Sequence, residues 1–175
     1  MGSEVAYGEP QRTWPEGTSA YVDGAKARKQ GINRMAILTS EREVMQVLEE
    51  ARRVAVLGIK PESHRSAAAY YVPAYLKRAG FDIVPVPVYF PDLDEILGER
   101  VYRSVAEIPG EVDLVVVFRR PEDIDAHVDD IVEKGPKAVW FQLGIRNDDA
   151  AERLADAGID VVQDRCSMVD HRRIG

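Results

Sequence analysis

The chain has a single cysteine, Cys166, among 175 residues. That excludes an internal disulfide and suits a reducing, cytoplasmic setting. No apolar run is long enough to span a bilayer, and no charged-then-apolar stretch opens the chain. Neither a membrane partner nor a secretory signal is therefore expected. The opening Met1-Gly2-Ser3 is not followed by the hydroxyl residue that acylation wants, since Ala6 stands there. Positive charge is also short: 23 Lys and Arg against 30 Asp and Glu leave a net charge of −7. A chain of that balance is not expected to bind nucleic acid, which needs many phosphates neutralised. Repeats and low-complexity segments are absent. What remains, 45% hydrophobic and 30% charged residues, is the composition of a globular domain.

Residues 1–35 carry Gly, Pro and charge with little periodicity and read as an extended arm, with Tyr7, Trp14 and Tyr21 as possible anchors to the domain or to a second subunit. A homodimer through this arm is one expectation. Residues 36–175 form the domain proper. Ser40-Glu41-Arg42-Glu43 has the spacing of a capping box, and Val44, Val47, Leu48 and Ala51 then fall on one helical face. Strand and helix alternate thereafter: strand 53–59, helix 66–79, strand 82–88, strand 112–118, helix 121–134, strand 137–142, helix 147–157 and strand 159–163. Gly80, Gly135 and Gly158 close three of the helices. Runs such as Leu114-Val115-Val116-Val117-Phe118 are apolar throughout, as strands covered on both faces are. The stretch 89–111 breaks the alternation and is expected to hold at most a short helix. The pattern specifies an α/β fold: a doubly wound, mostly parallel, five-stranded Rossmann-like sheet with helices on both faces.

In such a sheet ligands bind outside the carboxyl ends of the strands. Gly58, Ile59, Lys60, Ser63, His64, Arg65 and Ser66 follow the first strand, and Pro87, Val88 and Tyr89 close the second. Arg119 and Arg120 follow the third, Gln142 and Arg146 the fourth, and Arg165 and Cys166 the fifth. Six cations thus gather at one rim of an acidic protein. Arginine forks match phosphate oxygens, and Ser63 or Ser66 can cap the following helix or donate to a ligand. The competing reading pairs these arginines with Glu62, Glu122, Asp148 and Asp164.

A dinucleotide fingerprint needs Gly-x-Gly-x-x-Gly and an acid at the end of the second strand. Here Lys60 and Ser63 stand where the later glycines belong, and Asp82 lies at the wrong end of its strand. No Gly-Lys-Ser/Thr follows the strand either, so a P-loop is excluded.

The fragments Val54-Ala55-Val56-Leu57-Gly58, Tyr71-Val72-Pro73-Ala74-Tyr75-Leu76, Val112 to Glu122, Val139 to Ile145 and Asp164 to His171 occur in an order and spacing that resembles the stand-alone CoA-binding domain proteins. These are relatives of the nucleotide-binding domain of succinyl-CoA synthetase α subunits, and the resemblance covers about residues 40–173. It implies that coenzyme A lies across the first three strand ends. Gly58, Ser63, Arg65 and Ser66 would approach its phosphates. Val86 and Pro87 would line the adenine side, and Phe118, Arg119 and Arg120 the far wall. One departure stands out: Val86-Pro87-Val88 replaces the family's usual Val-Asn-Pro. The phosphohistidine domain of the α subunits has no counterpart here, so ligase activity is not implied.

Cys166 is the candidate for reactivity, because neighbouring Arg165 and His171 can lower a thiol pKa. Inert packing is the competing reading for this residue. Cys166 and His171, even with Asp164 or Asp170, are too few soft ligands for a zinc site, so no metal is expected. His127 lies on a polar helix face and reads as surface; Trp140 and Phe141 read as core. Three functions stay open. The leading one is a binder of CoA or an acyl-CoA without catalytic machinery. The others are an NAD(P)-linked oxidoreductase and a regulatory module that docks to a CoA-using enzyme.

Overall fold

The structure, a computed structural model, describes residues 37–174. The expected arm, with its proposed dimer contact, lies outside the described residues. From Ile37 onward the elements are α1 (Glu41–Glu50), β1 (Arg53–Leu57), a 3-10 turn (Glu62–His64), α2 (Ala68–Arg78), β2 (Asp82–Val86), β3 (Glu95–Ile96) and β4 (Glu99–Arg100). Then come β5 (Leu114–Val117), a second 3-10 turn (Pro121–Asp123), α3 (Asp125–Lys134), β6 (Ala138–Phe141), α4 (Asp148–Asp156), β7 (Asp160–Val162) and α5 (Ser167–His171).

Five strands form one wholly parallel sheet in the order β2-β1-β5-β6-β7. Alternation of side chains across the pleat splits the apolar runs between two cores. Val54 and Val56 pack with Leu114, Val116 and Trp140 beneath α1 and α2. Ala55 and Leu57 pack with Val115, Val117 and Phe141 beneath α3 and α4. The sheet is therefore wound on both faces, as expected. The chain leaves β1 toward β2, then returns to place β5 on the other side of β1. The crevice between the ends of β1 and β5 is thus the switch point.

Some local expectations need correction. Ser40 stands at the N-cap of α1, but its side chain makes no capping bond; the first turn is tied instead by Glu41 to Arg165 Nη1 at 2.6 Å. α2 begins later than expected, with Ala67 at its N-cap and no side-chain cap, so neither Ser63 nor Ser66 caps it. The stretch 89–111 carries no helix. It forms the two-residue antiparallel hairpin β3–β4, with Glu95 opposite Arg100 and Ile96 opposite Glu99. Arg103 holds its approach by donating to the carbonyls of Phe90, Pro91 and Leu93. Tolerance of Pro85 within β2 follows from the strand's place at the sheet edge.

Candidate functional site

β1 ends in a junction too tight for a side chain. Gly58 has φ +85, and a Cβ there would lie 2.3 Å from the Phe118 carbonyl oxygen. Its N–H donates to Val86 O at 2.8 Å, while Phe118 N donates to Leu57 O at 2.8 Å. Gly58 therefore locks the ends of β1, β2 and β5 together, and its N–H is already bonded within the protein. Ile59 is buried in the core below, and Lys60 N donates to Ala69 O at 3.0 Å, fastening the loop to α2. Beyond it, Ser63 Oγ and His64 Nδ1 lie 3.0 Å apart. The His64 ring meets Phe90 edge-on at 5.1 Å. Ser66 is exposed, and Arg65, itself well exposed, pairs with Glu62.

Arg119 dominates the opposite wall. Its side chain is only 10% exposed, its Cδ lies beside Gly58, and its guanidinium stacks 5.4 Å from the centre of the Tyr89 ring. Nη2 donates to Asp123 Oδ2 at 3.0 Å. The buried Nε has no hydrogen-bond partner among the described residues. Arg120, more exposed, shares the same carboxylate through Nε at 2.9 Å. That bond, with the charges of both arginines, holds the Asp123 carboxyl below the usual range. One turn along α3, His127 is half-buried rather than on the surface. Burial, followed by the charge of Arg119, pushes it below its ordinary value. Phe118 is half-buried against the α1/α2 core, Val86 is buried in the α3/α4 core, and Pro87 is buried just past β2.

The six rim cations thus divide. Lys60 pairs with no carboxylate among the described residues, Arg65 pairs with Glu62, and Arg119 and Arg120 share Asp123 beside Gly58. Arg146 pairs with Asp148 at 2.8 Å. Arg165 does not pair with Asp164; it binds Asp170 at 2.8 Å and Glu41 at 2.6 Å, which join α5 to α1. Asp164 instead accepts from Gly144 N at 2.6 Å.

Gln142 stands apart from the crevice. It is buried, with Nε2 donating to Ser167 Oγ at 2.6 Å and Oε1 accepting from Ser167 N at 3.3 Å. Both ends of its amide are therefore engaged. Cys166 is half-buried against the core at the start of α5. The neighbours expected to activate it are committed elsewhere, Arg165 to two carboxylates and His171 Nδ1 to Tyr75 Oη at 3.0 Å. Reading the sequence placed Tyr89 at the second strand end but gave it no role, and it misplaced His127. Only the position of Tyr89 at a strand end signalled the first, and nothing in the polar run around His127 signalled the second.

On the far side of the β1 loop a cavity of about 650 Å³ opens between residues 61–63, Tyr70 of α2 and the segment 90–98. No helix among the described residues is long and apolar enough to cross a membrane.

Comparison with known proteins gives this geometry a lineage. The CoA binding domain profile matches residues 52–172. The uncharacterized protein YneT of Bacillus subtilis (strain 168) is 33% identical over 132 residues, 75% of this chain and 94% of that one. A solved Thermus thermophilus structure is 35% identical with a TM-score of 0.71, covering 78% of this chain and 100% of its own. A hypothetical protein from Pyrococcus horikoshii OT3 is 32% identical with a TM-score of 0.70, covering 78% of this chain and 94% of its own. With the profile spanning well over half its length, this chain belongs to the CoA binding domain family.

Proposed function

We propose that the protein binds coenzyme A or an acyl-CoA at the carboxyl ends of β1, β2 and β5 and performs no chemistry on it. The observation that carries this reading is the orphaned Nε of Arg119, nine-tenths buried at the switch point. A buried donor without an acceptor is costly, and a phosphate oxygen is an acceptor that would satisfy it. Lys60, Ser63, Arg65 and Ser66 would face the phosphates from the β1 loop, with Gly58 and Ile59 shaping its backbone. Arg119 and Arg120 would face them from beyond β5. Val86, Pro87 and Phe118 would supply apolar wall, and Gln142 would act through its hold on α5. The exposed ion pairs of Arg65 and Arg120 contribute little to stability, so exchanging a carboxylate for a phosphate costs little.

The same geometry disfavours a nicotinamide dinucleotide. β2 ends in Val86-Pro87-Val88-Tyr89 with no acid to hold a ribose, and Asp82 pairs with Arg53 at the opposite edge. The absence of chemistry is supported at Cys166, whose neighbours serve other partners.

Thermal unfolding with CoA, acetyl-CoA, NAD, NADPH and ATP in parallel tests the reading. A ligand held only by the folded state at about 100 times its dissociation constant adds about 2.7 kcal/mol of stability. Stabilisation by CoA or acetyl-CoA is the expected result. A shift with NADPH alone would replace this function with an oxidoreductase.

A further inference from the structure

The cavity beside the β1 loop has the wrong charge for a phosphate. Its charged walls are Asp92, Glu95 and Glu62, the last paired with Arg65, and among the described residues no lysine or arginine lines it. The rest is largely apolar, with Phe90, Leu93 and Ile96 prominent. Lys77 is close by but committed, donating to Leu97 O at 2.5 Å and to Glu99 at 2.7 Å. The roof is a constrained piece of chain: Phe90 has φ +69 and Leu97 has φ +57, left-handed values that bulky side chains seldom adopt. Backbone strain of this kind collects at ligand clamps. The cavity also adjoins the arginine wall, since Phe90 lines it while the preceding residue, Tyr89, stacks on Arg119.

A CoA thioester sorts naturally onto such a surface. Its adenosine end carries charge on both sides of the ribose, from the 3′-phosphate and the pyrophosphate. Its pantetheine arm is uncharged along its whole length. That arm can enter a carboxylate-lined cavity and still leave both phosphate groups outside, and it brings the acyl group with it. We infer that the cavity receives the pantetheine arm and the acyl group, and that the site selects neutral acyl thioesters over those ending in a carboxylate. The inference rests on the CoA-binding reading. The volume is in the range of pockets that enclose small organic ligands, and an acyl chain would gain from burial against Leu93 and Ile96.

Titration calorimetry of the full chain with CoA, butyryl-CoA and succinyl-CoA tests this at about 0.01 M salt, where charges are poorly screened. Butyryl-CoA is expected to bind about tenfold more tightly than succinyl-CoA, a difference of about 1.4 kcal/mol. The exposed pair of substitutions Asp92→Asn and Glu95→Gln should close that gap, bringing succinyl-CoA to within about twofold of butyryl-CoA. Leu93→Trp, which fills the cavity, should weaken butyryl-CoA but spare adenosine 3′,5′-bisphosphate. If CoA itself gives no binding, the underlying reading fails and this inference falls with it. If CoA binds but the two thioesters bind alike, the inference alone is overturned. It is equally overturned if Leu93→Trp weakens the bisphosphate and not the thioester, since the base would then occupy the cavity.

Discussion

At the amino edge of the parallel sheet the chain answers its own polar groups, whereas at the carboxyl edge it leaves some of them open. Asp113 shows the first condition. Its Oδ2 accepts the N–H groups of Arg52 and Arg53 at 3.0 and 2.9 Å, and its Oδ1 takes Lys137 Nζ at 2.6 Å. Burial works against the charge on Asp113, yet these bonds outweigh it and hold the carboxyl below the ordinary value. Arg53 also has a buried Nε outside hydrogen-bond alignment, but that atom lies 3.2 Å from Asp82 Oδ2, so its charge is met. Arg119, at the other edge, pairs with its carboxylate through Nη2 and leaves Nε unanswered. Exposed apolar side chains collect there too, with Val88, Tyr89 and Leu143 standing beyond the strand ends. One edge is closed by its own partners, and the other leaves Arg119 Nε without one among the described residues.

The tight joint between β1 and β5 lies at the carboxyl edge yet belongs to the fold, and it gives the largest expected effect. Gly58→Ala combines a left-handed backbone with a contact of 2.3 Å against a carbonyl that cannot swing away. A loss of about 4 kcal/mol is expected, as a fall in the urea midpoint. Gly144→Ala separates the two causes, because Gly144 has φ +81 but nothing within 4 Å of a Cβ. Its loss should be only about 1 kcal/mol, the backbone share alone. Equal losses in the two variants would show that the strands do not need to approach so closely.

A crossed pair of substitutions sharpens the contrast between the edges. Asp113→Ala strips two backbone N–H groups and Lys137 of their acceptor, and should lower stability by about 2 kcal/mol. CoA affinity should not change. Arg119→Gln should do the reverse, weakening CoA about 50-fold while stability moves by less than about 1 kcal/mol. Chemical unfolding and calorimetry on both variants read this out. A melting loss in Arg119→Gln as large as in Asp113→Ala would make Arg119 a structural strut and erase the distinction.

Much of this was legible before the structure, for physical reasons that differ by element. β5 and β6 are read easily because strands buried on both faces must be apolar at every position. The position of Arg119 and Arg120 follows from where β5 stops. The helix α5 escaped notice because five residues do not display a helical period. The partners of Arg165 escaped because the nearest carboxylate in sequence, Asp164, has φ +54 and turns toward Gly144. Arg165 reaches Glu41 instead, 124 residues away. Gln142 looks like a loop amide facing a ligand, but Ser167 returns beneath it only when α5 folds back. Tyr89 was visible as the end of β2, yet its stacking on Arg119 depends on β2 and β5 flanking β1, a fact of sheet order rather than of local pattern.

The smallest effect concerns His127, whose environment is shaped by burial and by the charge of Arg119. Burial is the first cause of its lowered pKa and the Arg119 charge the second, with Asp130 and Asp123 opposing both. The unfolded chain takes a proton near the ordinary value of 6.5, and the folded chain resists until lower pH. Between those two points the unfolded state binds more protons, so stability falls as pH drops below 6.5 and recovers as pH rises. His127→Gln should flatten that slope in melts taken from pH 7 to pH 5. A phosphate on Arg119 would cancel part of the positive charge facing the ring and raise the histidine pKa. CoA binding should then take up a fraction of a proton below pH 6.5, seen as an upward shift of the His127 titration in NMR. If the titration does not move when CoA binds, the phosphates lie elsewhere on the rim. Arg119 would then be an orphan that the ligand does not satisfy.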